Sequence, residues 1–256
     1  MITRIAIAFS VALFAVASSA CDGFTGPTVP ARAVIASGHP EWAPIMFRAN
    51  AAIEGAGPAL VRKIFSDLGL TVDVPYTGTW DEVQAKARSG EVDVLVAAYK
   101  TSAREEYMVY SDAYTTDPVV IFVARGEVFS LASWNVLIGK RGVAMIGDSY
   151  GQQFDTFAAA NLTLTRVASS AAAFDLVATG QADYLLYGLF SGEDFLKKAG
   201  ATAQFESLPT FVNEENFYIT ISKASPFAAL MPQVNAAIAK YKADGTIAAL
   251  IAQYKQ

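Results

Sequence analysis

The stretch from Thr79 to Tyr114, TWDEVQAKARSGEVDVLVAAYKTSAREEYMVYSDAY, decides how this chain folds. Thr79 and Glu82 have capping-box spacing, in which each side chain satisfies a backbone N–H of the other, and they predict a helix running towards Ser89. Gly90 ends that helix, because a residue without Cβ takes the left-handed closing conformation freely. Val92 to Ala98 is then an apolar run of strand length and reads as a strand buried on both faces. Helix, turn and buried strand in this order form the unit of a parallel sheet with helices on both faces.

The pattern extends both ways. Upstream, Ala33 to Ala36 is a short apolar strand, and Leu60, Val61, Ile64, Phe65 and Leu68 fall at helical spacing from Gly57. Pro58 suits the first turn of that helix and Gly69 its stop, with Val72 to Val74 a strand beyond. Downstream, strands are predicted at Val143–Ile146, Leu164–Val167 and Tyr184–Tyr187, with helices at Gln152–Ala160 and Ala171–Thr179. The segment Ser89-Gly90-Glu91-Val92-Asp93-Val94-Leu95 is echoed by Thr179-Gly180-Gln181-Ala182-Asp183-Tyr184-Leu185. Each closes a helix on glycine and enters an apolar strand after an aspartate, so two similar α/β lobes are expected. Phe227 to Lys255 reads as helical around a break at Asp244-Gly245.

The first residues address the compartment. Met1 to Arg4 is a short basic start, Ile5 to Ala17 an apolar run, and Ser18-Ser19-Ala20 a set of small residues, the layout of a secretory signal peptide over residues 1–20. An apolar run this short does not span a bilayer comfortably. Periplasmic export follows, with residues 21–30, including FTGPTVP, as a flexible tether. Cys21 is the only cysteine of the chain, so no intramolecular disulfide can form, and at the first mature position it is a candidate lipid attachment site. A formal net charge of −5 over 256 residues lacks the basic footprint of a nucleic-acid binder.

Gly147-Asp148-Ser149-Tyr150-Gly151 fits G-x-S-x-G between a predicted strand and helix, the setting of a nucleophile elbow. A hydrolase also needs a base and an orienting acid, and the single histidine, His39, precedes the serine. The glycine-rich turn serves better as a ligand site, with N–H groups and a hydroxyl at a helix N-terminus. His39 reads as a loop residue, no metal-ligand spacing or cofactor motif is found, and Glu105-Glu106 and Glu214-Glu215 read as solvated surface. Arg104 follows the buried strand at its carboxyl end, where α/β sheets bind ligands. It either grips a carboxylate through paired hydrogen bonds or forms a surface salt bridge with Glu105 or Glu106. Trp42 and Trp80 are core residues or aromatic walls of a small-ligand site.

In order, Trp80, Gly90 to Asp93, Thr101 to Arg104 and Tyr110-Ser111-Asp112-Ala113-Tyr114 resemble family 3 solute-binding proteins of polar amino-acid uptake systems. Pro44, Gly55, Gly139 to Val143, the Gly147 turn and Asp244-Gly245 continue the likeness. The resemblance implies a type II periplasmic-binding-protein fold, with mostly parallel sheets in two lobes joined by a two-strand hinge. Lobe one takes residues 31–124 with 219–256 returning to it, and lobe two takes 125–218. It implies a monomer that binds a small solute without a cofactor, closes by hinge motion and delivers to an inner-membrane ABC permease.

Carried over residue by residue, Arg104 matches the carboxylate-gripping arginine and Thr101 its neighbour, Ser149 matches the hydroxyl from lobe two, and Trp42 and Trp80 match positions that pack on the ligand. Tyr99, Tyr150 and Tyr187 complete the expected ligand-binding set. The departures are Gly188, where amino-acid binders place an ammonium-binding aspartate, Tyr99 in place of a small residue, and Gly57 and Ala59 in place of acidic ones. They point to a carboxylate-bearing solute other than an ordinary α-amino acid, because a buried ammonium needs acceptors. A periplasmic dehydratase-like enzyme and a ligand-sensing receptor are the alternative uses of the same fold.

Overall fold

The computed structural model describes residues 32–255, so the predicted signal peptide, Cys21 and the tether lie outside the described residues. The first lobe opens with β1 (Val34–Ser37) and a small antiparallel sheet of β2 (Glu41–Trp42), β3 (Met46–Ala49) and β4 (Ala52–Glu54). Helix α1 (Ala56–Asp67), β5 (Val72–Asp73), α2 (Trp80–Ser89), β6 (Val94–Ala98), α3 (Ser102–Glu105) and the long β7 (Met108–Ala124) follow. The second lobe holds β8 (Arg141–Met145), α4 (Gln152–Asn161), β9 (Thr163–Val167), α5 (Ser170–Ala178), β10 (Tyr184–Gly188), α6 (Leu189–Lys198) and β11 (Phe205–Ser207). Strand β12 (Asn213–Ser222) returns to the first lobe, which α7 (Met231–Ala243) and α8 (Thr246–Tyr254) complete.

The main sheet runs β5-β1-β6-β12-β7-β10-β8-β9, with β11 beside β7. Pairing is parallel within β5-β1-β6 and within β10-β8-β9. The two long strands β7 and β12 lie antiparallel between these halves. Phe217 to Ser222 of β12 pair with the start of β7, and β12 also pairs with β6. At its other end Val119 to Ala124 of β7, placed in lobe one by the sequence reading, pair with β10 and β11 of lobe two. The chain therefore changes lobes near Asp117 and again near Asn216, and these two crossings form the hinge.

The locally coded elements take their expected form. Helix α2 carries the Thr79–Glu82 capping box and ends on Gly90 in the left-handed region (φ 84°). Helix α1 buries Leu60, Val61, Ile64 and Phe65 against the sheet, a side-chain burial of roughly 1.5–3 kcal/mol apiece. The tail breaks at Gly245, with helices on both sides.

The sequence echo has a mechanical meaning. Asp93 donates its N–H to the Ile35 carbonyl and accepts the Ile35 N–H, clipping the start of β6 to β1. Asp183 does the same for β10 and β8, donating to the Arg141 carbonyl and accepting its N–H. Each carboxylate also holds a guanidinium, Arg32 on Asp93 and Arg141 on Asp183. The two differ in burial, with side-chain exposures of 0% for Asp93 and 35% for Asp183.

Burial pushes the Asp93 carboxyl up, but Arg32, Ser225 and the Ile35 N–H outweigh it and hold the group below its ordinary range. The stability it contributes is therefore present at neutral pH and is lost as pH falls through the acid range. Asp93→Ala, which strips a buried network of its acceptor, is expected to cost about 3 kcal/mol, and Asp183→Ala about 1. Urea unfolding of both variants at pH 7 measures this, and equal losses would show that the clips do not differ by burial.

Candidate functional site: a closed interlobe cleft

The carboxyl ends of the parallel strands bring the candidate residues to the lobe boundary. From lobe one, the loop after β1 supplies His39, β2 supplies Trp42, the first turn of α2 supplies Trp80, and the end of β6 leads to Tyr99 and, through α3, to Arg104. From lobe two, the turn after β8 supplies Gly147, Asp148 and Ser149. Phe217 contributes from the hinge. His39, Trp42, Trp80, Tyr99, Arg104, Asp148, Ser149 and Phe217 all line one cavity of about 20 Å³. A wider trough of about 520 Å³, bordered by Thr101, Arg104, Gly147 and Ser149, lies on the outer side of Arg104.

Arg104 is buried, which sets aside the surface salt bridge; Glu105 pairs instead with Lys100 and Glu106 with Arg88. Its Nε donates to Gln84 Oε1 (2.8 Å), Nη1 to the Tyr99 carbonyl (3.0 Å) and Nη2 across the cleft to the Gly147 carbonyl (3.1 Å). All three acceptors are neutral, and the guanidinium stacks over the Trp80 ring at 5.4 Å. Each terminal nitrogen uses one of its two hydrogens in these bonds. Thr101 caps α3 by accepting the Arg104 N–H, so it sets the backbone from which Arg104 projects.

The lobes meet through direct hydrogen bonds. Gln84 Nε2 donates to the Gly147 carbonyl (3.1 Å), Ser102 N–H to Gln152 Oε1 (2.9 Å), and Ser170 to the Glu41 carboxylate through both its N–H and its hydroxyl. The cavity they enclose has room for about one water. A larger solute therefore has to move these side chains or part the lobes.

His39, read as a loop residue, is 2% exposed and bridges the lobes. Its Nδ1 accepts the Glu41 N–H (2.9 Å), so the ring hydrogen sits on Nε2 and is shared with Asp148 Oδ1 (3.2 Å). The second oxygen, Asp148 Oδ2, is buried and has no hydrogen-bond partner among the described residues.

Ser149 lines the cavity but donates its hydroxyl to Asp155 and accepts from the Gly151 N–H, while Asp155 also accepts the Tyr150 N–H. The imidazole contacts Asp148, leaving the G-x-S-x-G serine with a carboxylate partner and no histidine. The expected anion site at the start of α4 is thus already occupied by the helix's own Asp155.

Three expected residues stand elsewhere or in a different role. Tyr150 is fully buried in the lobe-two core, its hydroxyl accepting the Met145 N–H, and does not reach the cavity. Tyr187 lies behind the wall, bonded to the Glu41 carbonyl and Ser170 and packed edge-on against Trp42 at 5.0 Å. Tyr99 does line the cavity, but its hydroxyl points away from it, donating to Asp117 at 2.5 Å. Glu215 is half-buried and bonded to Asn213 rather than solvated.

Asp117 went unread in the sequence. It lies 2% exposed in the hinge and accepts from Trp42 Nε1 (2.7 Å) as well as Tyr99, both through Oδ2. A Cβ on Gly188 would stand 2.8 Å from that oxygen and 3.0 Å from the Trp42 ring. The hinge carboxylate thus fills the space that Gly188 leaves. The premise that this region lacks carboxylates does not hold: Asp117 stands behind the aromatic wall and Asp148 in front of it.

Two α/β lobes on paired crossing strands, with a buried arginine at the carboxyl end of a central strand, define a periplasmic-binding-protein fold of type II. The chain belongs to the bacterial extracellular solute-binding proteins, family 3, whose pattern it matches over residues 34–256. It is 25% identical over 195 residues to the L-cystine-binding protein TcyA of Bacillus subtilis (strain 168), spanning 76% of this chain and 70% of TcyA. A histidine kinase sensor domain with similarity to periplasmic binding proteins superposes with a TM-score of 0.74 at 20% identity, over 87% of this chain and 96% of that one. The amino acid ABC transporter substrate-binding protein AbpA from Streptococcus pneumoniae Canada MDR_19A, solved with L-arginine, gives 0.71 at 20% identity, over 86% and 93%. At such identities the likeness to these structures establishes the fold, while function rests on the site. Among the described residues no helix is long and apolar enough to cross a membrane, and no cluster of three or more His, Cys, Asp or Glu side chains could hold a metal.

Proposed function

We propose that this chain is the substrate-binding component of an ABC-type uptake system in the periplasm, exported by residues 1–20 and holding a small carboxylate-bearing solute between its lobes. The observation that carries the reading is Arg104, a buried guanidinium at the cavity with no carboxylate partner among the described residues. Burying a cation on neutral acceptors alone is costly, and an incoming carboxylate supplies the missing charge in bidentate geometry. Trp42 and Trp80 then flank the solute, and the hinge through Asp117 and Asn216 lets the lobes admit and release it.

A thermal-shift screen of the mature protein against amino acids, organic acids and amines tests the reading, since a ligand that binds the native state raises the melting point. At 100-fold excess over Kd the stabilisation is about 2.7 kcal/mol, a rise of roughly 5–11 °C for a chain of this size. Shifts are expected among carboxylates. Shifts confined to amines without a carboxylate would overturn the proposal.

A further inference from the structure

Successive residues of a strand face opposite ways, and β2 puts Trp42 and Glu41 to different uses. His39, Trp42 and Met46 line the cavity, whereas Pro40, Glu41, Ala43 and Phe47 border a separate trough of about 360 Å³. There the Glu41 side chain crosses to lobe two. Its Oε2 accepts the Ser170 N–H and the Ser170 hydroxyl, both at 2.8 Å, and its backbone carbonyl accepts the Tyr187 hydroxyl. Its N–H donates to His39 Nδ1 at 2.9 Å, so N–H, carbonyl and carboxylate of this one residue are all engaged. Ser170 and Tyr187 are each 1% exposed.

Ser170 opens α5, and the first N–H groups of a helix have no acceptor within it. Ser169 caps the helix by accepting the Ala172 N–H, which leaves the Ser170 N–H to be met from elsewhere. Among the described residues its one acceptor is Glu41, which belongs to the other lobe. A carboxylate there also meets the positive end of the helix dipole, so the contact is stronger than a neutral hydrogen bond. Parting the lobes strips Ser170 of that acceptor.

We infer that Glu41 is a positioning residue that latches lobe one onto the first turn of α5 and so sets how long the cleft stays shut. It acts through His39 and Trp42, its neighbours in the cavity wall, and does not itself line the cavity. This role rests on the reading that a solute is held between the lobes. Escape of that solute requires the latch to break, whatever the chemistry of the solute.

Amide hydrogen exchange of the mature protein without added solute reads the latch directly. The Ser170 N–H of the parent is expected to exchange about tenfold more slowly than that of Glu41→Ala, the factor that a hydrogen bond to a charged group supports. Phe174, in the body of α5, should exchange alike in both. Glu41→Gln keeps an acceptor of the same reach without the charge and should fall between them. Release of solute is then followed by stopped-flow tryptophan fluorescence, using the strongest binder among the twenty protein amino acids, their 2-oxo acids, succinate and benzoate. Glu41→Ala should release it about tenfold faster than the parent and Glu41→Gln about threefold faster, with the rank order of the panel unchanged.

Equal Ser170 exchange in the parent and Glu41→Ala would overturn the latch and leave the Arg104 reading standing. A changed rank order overturns it as well, because Glu41 would then be meeting the solute. A parent that binds nothing in the panel overturns the carboxylate reading, and the exchange comparison still decides the latch. Circular dichroism reports whether each variant folds, and the near-isosteric Glu41→Gln carries the comparison if the alanine variant does not.

Discussion

Replacement of Arg104 by alanine is expected to reduce solute affinity by about 30- to 1000-fold, equivalent to roughly 2–4 kcal/mol, with the fold retained. The loss has two sources. The carboxylate loses its charge-assisted partner, and Gly147 loses one of the two lobe-one donors that tie it to the closed state. Arg104→Lys should fall within about tenfold of the alanine variant, since one ammonium cannot serve Gln84, two carbonyls and a carboxylate fork together. The measurement is calorimetric titration of parent and variants with the carboxylate giving the largest thermal shift, alongside circular dichroism. Near-parental affinity in both variants would sink the assignment of Arg104 to the ligand.

The second large effect is on stability. Burial pushes the Asp117 carboxyl up to about 6, against the downward pull of its bonds from Tyr99 and Trp42. An aspartate in the unfolded chain titrates near 3.9, so the native state holds this proton more tightly. Its contribution therefore grows unfavourable as pH rises from about 4 to about 6 and stays so at neutral pH, a penalty of about 3 kcal/mol at most. Asp117→Asn keeps one oxygen for both donors and cannot ionise. At pH 7.5 it should be more stable than the parent by about 1–3 kcal/mol, or roughly 2–12 °C in Tm, and the advantage should vanish near pH 4. Calorimetric melting at the two pH values checks this, and a variant less stable than the parent at pH 7.5 would refute it. A destabilising carboxylate at a cleft is a common cost of function.

What could be read from the sequence was whatever is coded locally. The Thr79–Glu82 cap, Gly90 and the apolar run into Ala98 act within a few residues of one another, and the helix, stop and strand follow. The repeated glycine-to-aspartate spacing was legible too, because each aspartate clips the strand it introduces to its neighbour. The sheet of β2, β3 and β4 was not, since strands of two to four residues carry no measurable alternation. Nor was the point where β7 changes lobes, because both halves of that strand are apolar enough to belong to either sheet.

Of the expected ligand-binding set, Arg104, Trp42, Trp80, Tyr99 and Ser149 line the cavity, and strand ends and the family pattern are what mark them in the sequence. Asp148 was not placed in the ligand-binding set beside Ser149 and Tyr150. Three consecutive turn residues point in three directions, and only the closed lobes show that Asp148 faces the cavity while Tyr150 faces the core. Asp117 was invisible for a related reason. Gly188 looked like a lost carboxylate, yet it pairs with Val119 across β10 and β7, and the emptiness it leaves admits a carboxylate from the neighbouring strand.

The placement of the two aspartate clips bears on how freely the cavity can change. Asp93 fastens the start of β6 and Asp183 the start of β8, whereas the cavity is lined by Tyr99 beyond the end of β6 and by Asp148 and Ser149 beyond the end of β8. A five-residue strand of about 3.3 Å per residue separates the two ends by about 16 Å, beyond the range at which substitutions ordinarily couple. Cohesion and cavity lining are thus lodged at opposite ends of the same strands. Replacements at the cavity end can reshape its lining while the anchoring end is left alone, so the cavity can change in shape and charge without risking the integrity of the sheet.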